Sequence, residues 1–221
     1  MVLERLFKKR TNIFVVDPRR EFGFAIDFVK GAIEDEEKQE NKLKILSFVE
    51  ELIKEDLQSD MLTKIIYNPN QYLNRTSWFP LSYLPYDVSQ VPIIKIDLST
   101  TCVIAYPWNR ERYKKMIKTL SKEDFKYYKA NHFAEYYVPL DICFVTNGHH
   151  SIAAGCGYKK GWIVAKEIDI TPLFEKIYTD GQYWYESATG KLIFDVPDFR
   201  IAILFEIARL KYELQKNFSS N

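Results

Sequence analysis

The sequence has little of what usually betrays a function. Three cysteines in 221 residues, at 102, 143 and 156, are too few and too unevenly spaced for a disulfide framework. They are expected to be reduced core thiols of a cytoplasmic protein. His149, His150 and Cys156 form the one cluster of metal-binding residue types, short of the four ligands a structural zinc needs, so no metal site is expected. A run of eighteen apolar residues is missing, as is a charged-then-apolar leader, which argues against membrane spanning and secretion. The chain also lacks a Gly-x-x-x-x-Gly-Lys-Ser/Thr phosphate loop, a Gly-x-Gly-x-x-Gly dinucleotide fingerprint, internal repeats and low-complexity tracts. Net charge is nearly absent: 31 Lys and Arg against 30 Asp and Glu leave +1. Nucleic acid is not indicated by such a total, and any binding of it must come from a local patch.

What the chain does have is aromatic side chains, 15 Tyr, 15 Phe and 4 Trp, enough for a well-formed core. Residues 1–67 read as a helical module. Leu3, Leu6 and Phe7 line one face of a short helix that ends in Lys8-Lys9-Arg10. Asp17-Pro18 starts a second helix, with Phe22, Ile26, Val29 and Ile33 at helical spacing. After a charged turn, Lys42 to Asp56 and Asp60 to Tyr67 read as two more helices, with Glu50 and Lys54 as an i,i+4 pair. Their apolar stripes need a partner, either the rest of the chain or a second copy or another protein.

Residues 68–221 read as an α/β (α+β) core with a C-terminal hairpin and helix. Tyr72 to Tyr86 is a proline-punctuated aromatic connector. Pro92 to Leu98 and Thr101 to Ala105 are strand candidates, expected to be neighbours across a turn at Ser99-Thr100. Arg110 to Leu120 is a basic helix, with Ser121 expected to cap a further turn. Lys126 to Tyr137, containing His132, reads as a surface loop or a pocket edge. A strand at Trp162 to Ile168, a hairpin between Gln182 and Val196 and a helix at Phe199 to Lys216 complete the chain.

The stretch Asp141 to Gly161 carries the candidate site. Ile142 to Val145 is a short apolar run of buried-strand type, and Asn147-Gly148 is a strong turn pair. Ser151 to Ala154 then suits a short helix, closed by Gly155 and Gly157. At a strand-turn-helix junction the amides of the first helical turn point outward together, and the helix dipole favours an anion there. Asn147, Gly148 and Ser151 are the candidate ligand-binding residues, and His149 and His150 could supply general acid-base catalysis.

Asn147-Gly148-His149-His150-Ser151-Ile152-Ala153-Ala154-Gly155 resembles the phosphate-binding segment of the ParB/sulfiredoxin-like superfamily, in the Asp-Gly-His-His-Arg form of its nucleotide-using members. The resemblance covers roughly Val91 to Ile170. It implies a mixed-sheet core that binds a nucleotide, with magnesium as its companion, or another phosphorylated small molecule, with phosphoryl-transfer or nuclease chemistry. The family's arginine is Ser151 here, so the resemblance points to Arg110 and Arg112, on the helix that would face the nucleotide, for the missing positive charge. The sulfiredoxin cysteine would fall at His149, which argues against that chemistry. The alternatives are a non-catalytic interaction module on the same fold and, less favoured, a DNA-binding protein.

Overall fold

The computed structural model describes residues 16–68 and 77–219. The expected helix over residues 1–10 and the first part of the aromatic connector lie outside the described residues. Helix α1 (Pro18–Glu34) starts as the sequence predicts, with the Asp17 carboxylate accepting from the amides of Arg19 and Arg20 and proline in the first turn.

Helix α2 (Gln39–Tyr67) is one helix of 29 residues where two were expected. Its buried residues Leu46, Glu50, Lys54, Leu57, Met61 and Ile65 recur every three or four positions, a stripe that enters all three hydrophobic clusters in turn. The helical segment and the sheet therefore share their cores. Glu50 and Lys54, read from sequence as an i,i+4 pair, are both almost fully buried and 3.0 Å apart, and Lys211 Nζ reaches Glu50 from the C-terminal helix at 2.6 Å. A buried carboxylate between two ammonium groups is compensated for its desolvation.

The main sheet has five strands: β1 (Ile93–Asp97), β2 (Cys102–Ile104), β3 (Phe133–Val138), β4 (Ile142–Asn147) and β5 (Trp162–Asp169), in the spatial order β1-β5-β3-β4-β2. The β1–β5 and β3–β4 pairs are antiparallel; β2–β4 and β3–β5 are parallel. The molecule is thus of mixed α/β class. β1 and β2 are not paired neighbours, contrary to expectation; they are the two edges. Yet Thr101 N–H donates to Asp97 O at 3.1 Å, so those edges come together at one end. Four interstrand steps would hold them about 19 Å apart in a flat sheet, so this one curls strongly.

Both faces of β4 are covered, which is why Ile142, Cys143, Phe144 and Val145 are all buried. Ile142 and Phe144 join the larger core with Phe79, Tyr137, Trp184 and Phe205. Cys143 and Val145 join the second core, which contains Tyr113 and Leu120 of α3 (Arg110–Leu120) and Ile152 and Ala153 of α4 (His149–Gly157). A smaller antiparallel sheet of β6 (Ile177–Thr179), β7 (Tyr183–Glu186) and β8 (Leu192–Asp195) contains the expected hairpin. It inserts Trp184 into the larger core. Helix α5 (Phe199–Ser219) packs against α1 and α2.

Candidate functional site

The strand-turn-helix junction forms where the sequence places it. Gly148 is the N-cap of α4 with φ 87°, ψ 18°, a left-handed conformation that glycine adopts without steric cost. A Cβ there would sit 2.6 Å from His132 Cδ2 and 2.9 Å from Asn131 O, so the fit as well as the torsion demands glycine. Helix α4 contains Gly155 and ends at Gly157, the second of the two glycines expected to close it. Gly155 is required by packing, since a Cβ would meet Leu98 Cδ1 at 2.7 Å and Phe125 at 2.9 Å.

The three histidines are struts. His149 is 7 % exposed, and its Nδ1 accepts from the Tyr106 amide at 3.1 Å. His150 Nε2 accepts from the Asn109 amide at 3.0 Å. Asn109 is in turn the N-cap of α3, its side chain accepting from the Arg112 amide at 2.9 Å. The first turns of α3 and α4 are therefore tied through His150, and two positive helix ends adjoin the same space.

His132, 1 % exposed, supports the turn from beneath. Its Nδ1 accepts from the Tyr128 amide at 3.2 Å, so in the neutral ring Nε2 carries the proton and donates to Ser151 Oγ at 2.9 Å. The serine hydroxyl in turn donates to Gly148 O at 3.0 Å. Ser151 is thus neither a free phosphate donor nor a nucleophile with a base beside it. Burial holds the His132 pKa below its ordinary value. His150 is shifted the same way, first by burial and then by the Arg112 charge.

Around the turn is a recess of about 310 Å³ lined by Trp108, Arg112, Lys115, Met116 and Asn131 together with Asn147 to Ser151. Among the described residues two cations face it and no carboxylate does. The Arg112 guanidinium lies 5.3 Å over the Trp108 ring, and His150 meets that ring edge-on at 5.1 Å. Arg110, the other arginine expected here, points elsewhere: its Nη2 donates to Ile66 O at 3.4 Å at the end of α2, and it does not line the recess. Ser121 caps the end of α3 instead of starting a further turn, its hydroxyl donating to Lys118 O at 2.8 Å. Trp108, Lys115 and Asn131 were missed in sequence. Lys115 was within reach, because it follows Arg112 by three residues on the same helix, whereas Trp108 precedes the helix cap.

Among the described residues no group of three or more His, Cys, Asp or Glu is placed to hold a metal, and no helix is long and apolar enough to cross a membrane.

A mixed α/β fold with a basic recess at paired helix N-termini is the class that these observations define. Within that class, the chain belongs to a family of unknown function, DUF6710, whose model matches residues 8–218. Neither the curated proteins nor the solved structures contain a match to the chain.

Proposed function

We propose that the recess binds a phosphate-bearing ligand, a nucleotide above all, in a cytoplasmic protein of the ParB/sulfiredoxin-like kind. The observation that carries the reading is the lining: Arg112 and Lys115 share it with the first turn of α4, and among the described residues no carboxylate joins them. The left-handed Gly148 followed by helical residues turns successive amides to one side, an arrangement that favours anions. Arg112 takes over the charge that Ser151 does not supply. Any magnesium would arrive with the nucleotide's own phosphates. The role of His149 and His150 in this reading is to hold the loop before α3 in place, because a ring nitrogen of each is already engaged by a backbone amide.

One arginine and one lysine at an open recess give modest affinity. Losing one charge-assisted hydrogen bond costs roughly 1.5–3 kcal/mol, or about ten- to a hundredfold, so binding in the micromolar-to-millimolar range is expected. Calorimetric titration of nucleoside di- and triphosphates, with and without magnesium, should give heat with wild type and at least tenfold weaker binding with Arg112→Ala/Lys115→Ala. Absence of heat with every nucleotide, or equal binding by the variant, refutes the reading.

A second reading, an interaction module, is favoured by one observation. Phe24 and Phe28 on α1 and Phe48 and Leu52 on α2 are each at least half exposed. Light scattering over a range of concentrations tests it, since a strictly monomeric protein removes self-association as its basis.

A further inference from the structure

The positive charge of α3 lies in one line. Arg112, Lys115, Lys118 and, just past the helix end, Lys122 recur every three or four residues and are exposed. Lys115 borders both the recess and a trough lined by Lys114, Lys118 and Lys122 together with Glu111 and Glu123, four lysines against two carboxylates. Among the described residues, none of Lys115, Lys118 and Lys122 forms an ion pair, whereas Lys114 on the adjoining face is taken by Glu111 at 2.8 Å. From Arg110 to Lys129, eight Lys and Arg stand against three Asp and Glu in a chain whose total is +1. This is a local patch that the near-neutral total conceals.

Dimension and shape narrow what the patch fits. At 1.5 Å per residue the line from 112 to 122 is about 15 Å long, enough for a few successive phosphates of one strand. Trp108 stands at its head, 41 % exposed. A single row of cations tracks one phosphate backbone, and an exposed indole offers stacking to a base whose face is not already covered by its neighbours, as in a single strand. A lipid surface meets the exposed row but cannot follow it into a recess.

We infer that the recess holds one phosphate of a single-stranded nucleic acid, that the following phosphates run along Lys115, Lys118 and Lys122, and that a base stacks at Trp108. This rests on the phosphate reading for its anchored end. The test compares a nucleoside monophosphate, followed by calorimetry, with a labelled, 5′-phosphorylated octanucleotide, followed by anisotropy at several salt concentrations. Wild type should hold the octanucleotide at least about tenfold more tightly than the monophosphate. Lys118→Glu/Lys122→Glu, which leaves the recess untouched, should abolish that gain while keeping monophosphate binding. Its slope of log K against log salt should be shallower by about 1.4, from roughly 0.7 per lost contact.

Monophosphate binding with no gain for the octanucleotide, or a gain that survives the double variant, overturns this inference and leaves the phosphate reading standing. Silence of both ligands overturns the two together. A duplex that competes as well as the strand also overturns the inference, as do anionic phospholipid vesicles that bind through the same lysines when the strand does not.

Discussion

Replacing Gly148 by alanine tests the geometry of the site directly. The residue holds φ at 87°, and a non-glycine residue in that region costs roughly 1–2 kcal/mol. The added methyl would also lie 2.6 Å from His132 Cδ2 and 2.9 Å from Asn131 O. The imidazole cannot move away cheaply, because it is bonded to the Tyr128 amide and to Ser151 and its ring lies against Phe125 at 5.3 Å. Overpacking of this kind costs about 1–3 kcal/mol. Gly148→Ala should therefore destabilise the protein by about 2–5 kcal/mol, read from the midpoint of urea unfolding at constant slope. Gly157→Ala is the internal control. That position is helical with open space around its Cα, so alanine there should be neutral or stabilising by up to about 1 kcal/mol. Equal stability of Gly148→Ala and wild type would mean that the turn does not hold the left-handed conformation against His132, and the description of the recess would fall with it.

Three further outcomes are expected. Arg200 is 12 % exposed at its side chain and bonds Asp198, Asp60 and Asp56 at 2.7–2.8 Å, and of these carboxylates only Asp198, 13 % exposed, is largely buried, so Arg200→Met should cost about 1–3 kcal/mol, chiefly by stranding Asp198; an unchanged unfolding midpoint would show that the cluster contributes nothing. Burial pushes the thiols of Cys102 and Cys156 up to about 12 and that of Cys143 higher still, so all three should resist iodoacetamide at pH 8 in the folded protein and react together on unfolding. His132 is held neutral by burial below its usual 6.5, so the unfolded chain takes up the proton first: stability should be full above pH 6.5 and fall as pH drops below it, by at most about 1.4 kcal/mol per pH unit for this histidine. His132→Gln should flatten that part of the stability curve if the reasoning holds.

The junction at Asn147 to Ser151 was legible because its determinants are local: a short apolar strand, a turn pair and a residue that accepts a positive φ. What was missed depends on distant partners. Strand β3 looks polar in sequence, with Glu135, Tyr136 and Tyr137 in succession. It is central because β4 and β5 pair with it on either side and because Tyr137, 1 % exposed, enters the larger core with its hydroxyl donating to Glu135 at 2.6 Å. The break expected near residue 58 is bridged by Asp56 and Asp60, one turn apart, which both bond Arg200 from 140 or more positions away. The pairing of β1 with β5 instead of β2 is likewise decided by a crossover that local turn chemistry at Asp97-Ser99 does not reveal.

The same distinction decides what the paired histidines do. In sequence, two imidazoles at a helix N-terminus suggest proton donors to a phosphate or an acid-base pair. In the folded chain each accepts a backbone amide, and an imidazolium has no lone pair with which to accept. Protonation would thus release Tyr106 or Asn109 and loosen the start of α3, which carries Arg112. A recess that used imidazolium as its cation would bind an anion more tightly as pH falls through 6.5. One that uses Arg112, Lys115 and backbone amides, with neutral histidines as struts, gains nothing and weakens once a strut is protonated. Sulfate, whose charge does not change between pH 5.5 and 7.5, separates the two cases without the titration of a phosphate ester. Its affinity should not rise as pH falls from 7.5 to 5.5 and should weaken once a strut takes up a proton, which burial delays for His150, whereas a steady rise over that interval would return the histidines to the role that the sequence alone suggests.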